Sequence, residues 1–307
     1  MSVSTRQPPV AIIILNWNGL QNTLDCLSSL RNLTYTNFKI VIVDNASTDG
    51  SPKVILKNFP QHHLICNSQN LGFPEGNNVG IRWALKEDLN YILLLNHDTT
   101  VDPNFLTYLV IVSESDSRVG IVGSRIVYHS QPQKSWSIGG YINRKSGRPL
   151  HIKPLNQPIE VQDKKITEVD WVSGCCLLIK TKVIREVGLL DADFFVGTED
   201  VDWCIRAKKA GYKIFCVHNS VVYHKKPTKP FQKKYSSIQQ YYTLRNLLIF
   251  IEKHSTFNFS FFISFFNVLV KRFTWSLINF DLKSMKAMWY AIGDFRRKRY
   301  GKAKFTL

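Results

Sequence analysis

Through the first half of the chain, short apolar runs alternate with longer amphipathic stretches. Val10 to Leu15, Lys39 to Val43 and Tyr91 to Leu95 are of strand length and almost continuously apolar, as parallel strands covered on both faces are. Between them Leu20 to Leu30, Ser51 to Asn58 and Asn77 to Leu85 carry helical spacing. This β-α-β-α order predicts an α/β domain with a doubly wound, mostly parallel sheet and helices on both faces. Gly120 to Tyr128 predicts another strand, Val169 to Ile179 one interrupted at Ser173-Gly174, and Val217 to Tyr223 a last one ending at His224. Gln131 to Lys165 is polar and reads as loops or a flap. Thr198-Glu199-Asp200 opens a helix: Thr198 is suited to cap it, the acids suit the positive end of its dipole, and Gly211 stops it.

After Pro230 the texture changes. Leu244, Leu247, Leu248 and Ile251 fall at helical spacing, as do Met285, Met288, Trp289 and Ile292. Ser255 to Val270 runs without a charge and carries six Phe, but at sixteen residues it falls short of the ~20 that a span needs. It reads as an interfacial or buried helix. The expected division is therefore a domain over 1–230 and a helical, basic, aromatic-rich extension over 231–307. Charge sharpens it: of the formal net charge of +17, a net +14 lies from Lys225 onward, with 17 Lys and Arg against 3 acids. A near-neutral body with a basic end implies an anionic surface as partner, a membrane or a nucleic acid.

At 307 residues and 44% apolar, with 16 Gly and 12 Pro, the chain has the means for a sizeable core and is neither collagen-like nor disordered. Its six Cys show neither CxxC pairs nor zinc-finger spacing and read as reduced, mostly packed thiols, Cys175 and Cys176 among them. Met1 to Pro9 lacks a signal-peptide pattern, so a cytoplasmic location is expected.

Each of the first strands runs into a polar cluster: Asn16-Trp17-Asn18-Gly19, Asp44-Asn45-Ala46-Ser47-Thr48-Asp49-Gly50, and Asn96-His97-Asp98-Thr99. Any one cluster could merely make a turn or an N-cap. Three in succession point to a shared crevice beyond the carboxyl ends of the strands, where open α/β sheets bind ligands. A carboxylate only accepts hydrogen bonds, so Asp44 could read the N3–H of uracil or thymine. Asp98 is suited to a divalent cation shared with substrate phosphates.

These three clusters, with Asn70-Leu71-Gly72-Phe73-Pro74-Glu75-Gly76-Asn77-Asn78, Ser173-Gly174, Gly188-Leu189-Leu190-Asp191, Thr198-Glu199-Asp200-Val201-Asp202-Trp203 and Tyr241-Tyr242-Thr243-Leu244-Arg245-Asn246, resemble in order the motifs of the family 2 glycosyltransferases. The likeness is greatest to the rhamnosyltransferase-like branch of bacterial polysaccharide biosynthesis. It covers roughly residues 10 to 250 and implies a GT-A fold and a pyrimidine nucleotide-sugar donor, dTDP-rhamnose or a UDP-sugar. It further implies a divalent cation, Mg²⁺ or Mn²⁺, and inverting transfer to a saccharide or lipid-linked saccharide. By the same resemblance Asp200 is the general base with Glu199 beside it, and Asp98 and His224 hold the metal. Asn16, Asn18, Asp44, Asn45, Ser47, Asn70, Gly72, Asn77, Asn96 and Arg245 then surround the nucleotide, and Ser173, Gly174 and Trp203 face the acceptor. One departure stands out: Asn96-His97-Asp98 has an amide where the family's DxD motif has its first acid, which weakens metal binding or shifts it onto the donor's phosphates.

Plainer assignments exist for several of these residues. Glu199 and Asp200 could serve only the helix dipole, with Asp202 and Arg206 an i,i+4 pair. His224 could be a surface residue and His97 a turn former, and Arg245 could lie on a solvated helix face. Two other functions fit parts of the sequence, nucleic-acid binding through the basic end and an inactive nucleotide-binding scaffold. The absence of a recognised nucleic-acid module in the first half speaks against the former, and Asp98 and Asp200 against the latter. The expected site of action is the cytoplasmic face of an anionic membrane.

Overall fold

The computed structural model describes residues 7–152, 166–226, 236–254 and 259–304. Strand β1 (Val10–Asn16) lies between β2 (Phe38–Asp44) and β4 (Tyr91–Asn96), parallel to both, with β3 (His63–Cys66) outside β2. Helices α1 (Leu20–Leu30), α2 (Ser51–Asn58) and α3 (Gly72–Ala84) make the crossovers. Beyond β4 the sheet continues through β11 (Cys176–Lys180), antiparallel to its neighbours, then β6 (Val119–Tyr128), β12 (Lys213–His224) and β10 (Ile166–Glu168). Short β5 (Thr99–Val101) pairs with β12, and β7 (Gln131–Ser137) with β6, giving a ten-stranded, mixed but mostly parallel sheet. A hairpin of β8 (Gly140–Ile142) and β9 (Pro149–His151) stands beside it. Two apolar layers, one on each face, hold the sheet: Val10, Ile12 and Ile14 point to one, Ala11 and Ile13 to the other. That two-sided burial is why β1 reads as an unbroken apolar run.

Helices α4 (Phe105–Glu114), α5 (Thr181–Val187) and α6 (Glu199–Lys209) complete the layers. Three more follow: α7 (Ser237–His254), α8 (Phe259–Ile278) and α9 (Leu282–Arg296). Leu248 to Ile251 of α7 join the same core as the sheet, while Tyr241, Tyr242 and Leu244 pack with Ala287, Met288 and Ala291 of α9.

Several sequence expectations need correction. Helix α3 begins at Gly72, five residues before Asn77, and the strand expected from Val169 starts only at Cys176. The stretch 131–152, expected as loops or a flap, contributes β7 to the main sheet and the β8–β9 hairpin; the rest of that stretch, 153–165, lies outside the described residues. Thr198 does not cap α6 with its side chain: it sits at φ 84°, in the left-handed region. Of the charge-free segment, 255–258 are not described and 259–270 lie within a twenty-residue helix, α8, long and apolar enough to cross a bilayer by length and composition and largely exposed.

Candidate active site

Because β1, β2 and β4 run parallel, their ends share one edge of the sheet: Asn16 is register partner of Asp44, and Leu15 of Asn96. The first two clusters are stitched together there. Asn16 Nδ2 donates to Asp44 Oδ1 (2.7 Å) and to Ser47 Oγ (3.1 Å), and Ser47 N–H donates to Asp44 Oδ2 (2.8 Å). Asn18, at φ 49°, receives Thr48 N–H on its side-chain oxygen, and its own N–H donates to Ser47 Oγ. The third cluster closes on the first at Gly19, where a Cβ would lie 2.4 Å from His97 Nε2. Asn45 ties this edge to the start of α3, donating to Asn70 Oδ1 (3.0 Å) and the Gly72 carbonyl (3.1 Å) and accepting Leu71 N–H (3.0 Å).

Next along the edge comes the turn into β11. The Asn96 N–H donates to the Cys175 carbonyl (3.0 Å), and Gly174 N–H donates to Asp200 Oδ2 (2.8 Å). The Ser173–Cys175 turn thus stands between the third cluster and α6. On one side Asp98 meets His224, from the end of β12, whose Nε2 is 3.1 Å from both carboxylate oxygens. Burial pushes the Asp98 carboxyl up, but His224, His97 and Lys226 outweigh it and hold it below the ordinary carboxylate range. On the other side burial raises both Asp200 and Glu199; Glu199 rises further, with the Asp200 charge adding to burial. Among the described residues Glu199 Oε2, which is buried, has no hydrogen-bond partner, whereas Asp200 accepts two backbone N–H groups, so of the pair Asp200 is the one suited to carry the charge.

An aromatic and basic rim, unforeseen from the sequence, connects the two sides. The Trp136 ring, from β7, meets His224 edge-on (4.9 Å between centroids) and His151 at the end of β9 (6.4 Å), and Lys226 Nζ lies 4.3 Å over the Trp136 ring. Burial holds the His151 imidazole below its ordinary range, against the pull of the Asp200 charge, and the ring packs edge-on against Trp171. A lone Trp and a lone His in a polar stretch gave no spacing to read; only the flap expectation hinted at them.

Residues 11–188 of the 307 match glycosyl transferase family 2. The chain belongs to that family. Among curated relatives it is 25% identical over 255 residues to the low-salt glycan biosynthesis hexosyltransferase of Haloferax volcanii, covering 81% of this chain and 76% of that one. It is 27% identical over 220 residues to the N-acetylglucosaminyl-diphospho-decaprenol L-rhamnosyltransferase of Mycobacterium tuberculosis, covering 65% and 70%. To the dTDP-rhamnosyl transferase of Shigella flexneri it is 21% identical, covering 79% of each. Two solved structures share the fold: a mannosyltransferase from Pyrobaculum calidifontis with GDP-Man and Mn²⁺ (TM-score 0.57, 17% identity), and GalNAc-T7 with UDP, GalNAc and Mn²⁺ (0.62, 18%). Each aligns over 81% of this chain, which spans 64% of the first and 48% of the second. The GT-A architecture expected from the motifs is thereby established.

Against this family background, some expected site residues line the edge and others do not. Asn16, Asn18, Asp44, Ser47, Asn96, Asp98, Ser173, Gly174, Asp200 and His224 gather along it. Asn45 and Asn70 brace the turn before α3, and Asn77 is buried with its amide on the Phe73 carbonyl (2.9 Å). Gly72, at φ 82°, packs against Phe195, where a Cβ would meet the carbonyl oxygen at 2.5 Å. Trp203, expected at the acceptor, is instead fully buried with its indole N–H on the Gly188 carbonyl (2.8 Å). Arg245 is neither exposed nor directed at the nucleotide edge. It is fully buried, donating to the carbonyls of Asp193, Phe194 and Gly301 and packing against Tyr241 and Tyr242. Of the thiols, five are buried, and burial raises Cys176 to about 12, so the Cys175-Cys176 pair is packing rather than nucleophile; Cys66 is exposed.

Asp98 and His224 suit a divalent cation in donor chemistry: one carboxylate and one imidazole converge, with Asp98 still partly open to solvent. Among the described residues no group of three His, Cys, Asp or Glu could hold a metal. Two protein ligands make an open site that phosphate oxygens of a donor would complete, and an imidazole nitrogen among them suits Mn²⁺ better than Mg²⁺.

Proposed function

We propose that the protein transfers a hexosyl group, rhamnose foremost, from a dTDP- or UDP-linked donor to a saccharide or lipid-linked saccharide, with inversion at the anomeric carbon. The observation that carries this reading is the position of Asp98 and Asp200 on either side of the Ser173–Cys175 turn, at the carboxyl edge of the sheet. Asp44 accepts the N3–H of the pyrimidine, with Asn16 and Ser47 fixing the orientation of its carboxylate. Asp98 and His224 would hold a divalent cation, which would supply positive charge against the leaving diphosphate.

Asp200 takes the proton of the attacking acceptor hydroxyl. Its carboxylate is oriented by the Gly174 and Val201 N–H groups, both at 2.8 Å, which leaves lone pairs for that proton. Protonated Glu199 prevents two adjacent charges from competing for one buried place. Trp136 and His151 give the acceptor a flat apolar face next to the base, and sugar rings pack on such faces through their C–H surfaces. The curated relatives named as rhamnosyltransferases support the donor, and that of M. tuberculosis, by its name, acts on a lipid-linked saccharide.

The deciding experiment is a donor panel with the purified protein: release of nucleoside diphosphate from UDP-, dTDP- and GDP-sugars, with Mn²⁺ or with EDTA. Release from a dTDP- or UDP-sugar, abolished by EDTA, is expected. Release from GDP-sugars alone would refute the Asp44 assignment, and EDTA-insensitive release would refute the role of Asp98 and His224.

A further inference from the structure

Helix α8 carries two opposed stripes. Phe261, Phe265 and Leu269 turn toward the protein: Phe261 is fully buried in the main core, and the other two pack against it or the α7–α9 cluster. Ser276, near the far end of the helix, is also fully buried. Arg148, in the β8–β9 hairpin, donates to Ser264 Oγ (2.7 Å) and fixes the helix sideways. The other stripe, Phe259, Phe262, Phe266, Val270, Phe273 and Leu277, faces outward at spacings of three and four, with Phe259 81% and Phe266 65% exposed. It continues into the α8–α9 turn at Phe280, 90% exposed, and onto α9 at Trp289, 70% exposed. Exposed apolar area on this scale marks a contact surface.

Charge selects what the surface meets. From Phe259 to Lys304 there are ten Lys and Arg against two acids, Asp281 and Asp294. Lys271, Lys283 and Lys286 are exposed on the same two helices, and a cavity of about 530 Å³ between α7 and α9 carries Arg297, Arg299, Lys302 and Lys304 around Asp294. A second copy of the chain would bring one basic rim against another, whereas a bilayer with phosphate headgroups complements both the charge and the apolar stripe.

We infer that the outward stripe of α8, with Phe280 and Trp289, is a membrane-docking face that lies in the plane of an anionic bilayer. Helix α8 is long enough to span, but a perpendicular helix would leave its contacts with the core and with Arg148 along its length. In-plane insertion to the depth of the Phe and Trp rings keeps those contacts and puts the Lys and Arg at headgroup level. The hairpin that grips α8 through Arg148 also carries His151, which meets Trp136 at the rim of the candidate site, so the docked helix and the site are joined by three residues of strand.

The test is co-sedimentation of the full chain with phosphatidylcholine vesicles containing or lacking phosphatidylglycerol, read against the exposed-site variants Phe262→Glu/Phe266→Glu and Lys283→Glu/Lys286→Glu. Wild type should bind the anionic vesicles, the Phe double variant at least about tenfold more weakly, and the Lys double variant about tenfold more weakly on anionic vesicles only. Circular dichroism confirms that each variant is folded. Trp289 fluorescence should be quenched by brominated lipid, and alkaline carbonate should release the protein. Wild-type binding by the folded Phe variant, no vesicle binding by wild type, or carbonate resistance that indicates a span would each overturn the inference. So would a stable dimer that the Phe variant dissociates. None of these readouts uses turnover, so they stand or fall independently of the proposed transfer.

Discussion

Replacing Asp200 by Asn keeps the side chain's shape and an acceptor for the Gly174 N–H, while it removes the acceptor for the Val201 N–H and the charge proposed to take the proton. Transfer should fall by about 10²–10⁴-fold, while the rise in melting temperature given by dTDP or UDP with Mn²⁺ persists, because the nucleotide contacts lie elsewhere. Near-normal turnover would reject Asp200 as the base. Burial raises the Asp200 carboxyl, and the charged form is the active one, so kcat/KM should climb with pH along an acid limb centred above the ordinary carboxylate range. A limb centred at or below that range would contradict the assignment. Arg245 carries the opposite lesson at the same scale. Its guanidinium satisfies three backbone carbonyls in the Asp193–Phe194 and Gly301 segments, so it fastens the C-terminal segment and α7 to the turn before α6. Arg245→Ala should cost about 3 kcal/mol or more in urea denaturation: the Gly301 carbonyl loses its donor, at about 1–3 kcal/mol, and a fully buried side chain packed on Tyr241 and Tyr242 is replaced by a cavity. Arg245→Lys, in its folded fraction, should bind dTDP or UDP within twofold of wild type. A stable Arg245→Ala protein with lost nucleotide affinity would return Arg245 to the diphosphate.

At the scale of elements, the tertiary setting overrides local preference where the chain crosses the site. Gly72, Pro74 and Gly76 are poor helix formers, so the sequence starts α3 at Asn77; the helix begins at Gly72 because Asn70 and Asn45 hold that turn and Phe195 packs on it. Gly72→Ala forces a Cβ into the Phe195 carbonyl and ring, at a positive φ. It should lower stability by about 1–3 kcal/mol, read by urea denaturation; an equally stable variant would mean that Phe195 yields freely. Strands β1, β2 and β4 were legible because both faces are buried, which makes them continuous apolar runs. β7, Gln-Pro-Gln-Lys-Ser-Trp-Ser, was not: it is an edge strand held by β6, and its polar residues carry no period. The same difference divides the site. Asp44, Asp98 and Asp200 stand at the ends of regular elements within recognisable strings. Trp136 and His151 come from short strands whose partners are distant in the chain, and Trp203 and Arg245 share motifs with site residues while their side chains serve packing.

Over the whole molecule the charge is divided much as the tasks are, with a near-neutral body holding the candidate site and a cationic extension exposing an apolar helix. Part of the basic excess is engaged by the body: Lys225 pairs with Asp25, and Lys253 with Asp191 and Asp193 (3.0 Å to the latter). The net positive charge around α8 and α9 acts at long range, and long-range attraction to an anionic surface weakens as the Debye length shrinks from about 10 Å at 0.1 M salt to about 3 Å at 1 M. The chemistry proposed at Asp200 is short-range and sheltered by Glu199 and the Gly174 turn, so it is screened far less. A saccharide acceptor borne on a lipid in anionic vesicles should therefore be glycosylated several-fold more slowly at the higher salt. The same saccharide free in solution should be used at a rate changed less than twofold. An equal loss on both acceptors would locate the salt effect at the nucleotide edge, and the basic extension would then have no part in bringing enzyme and acceptor together.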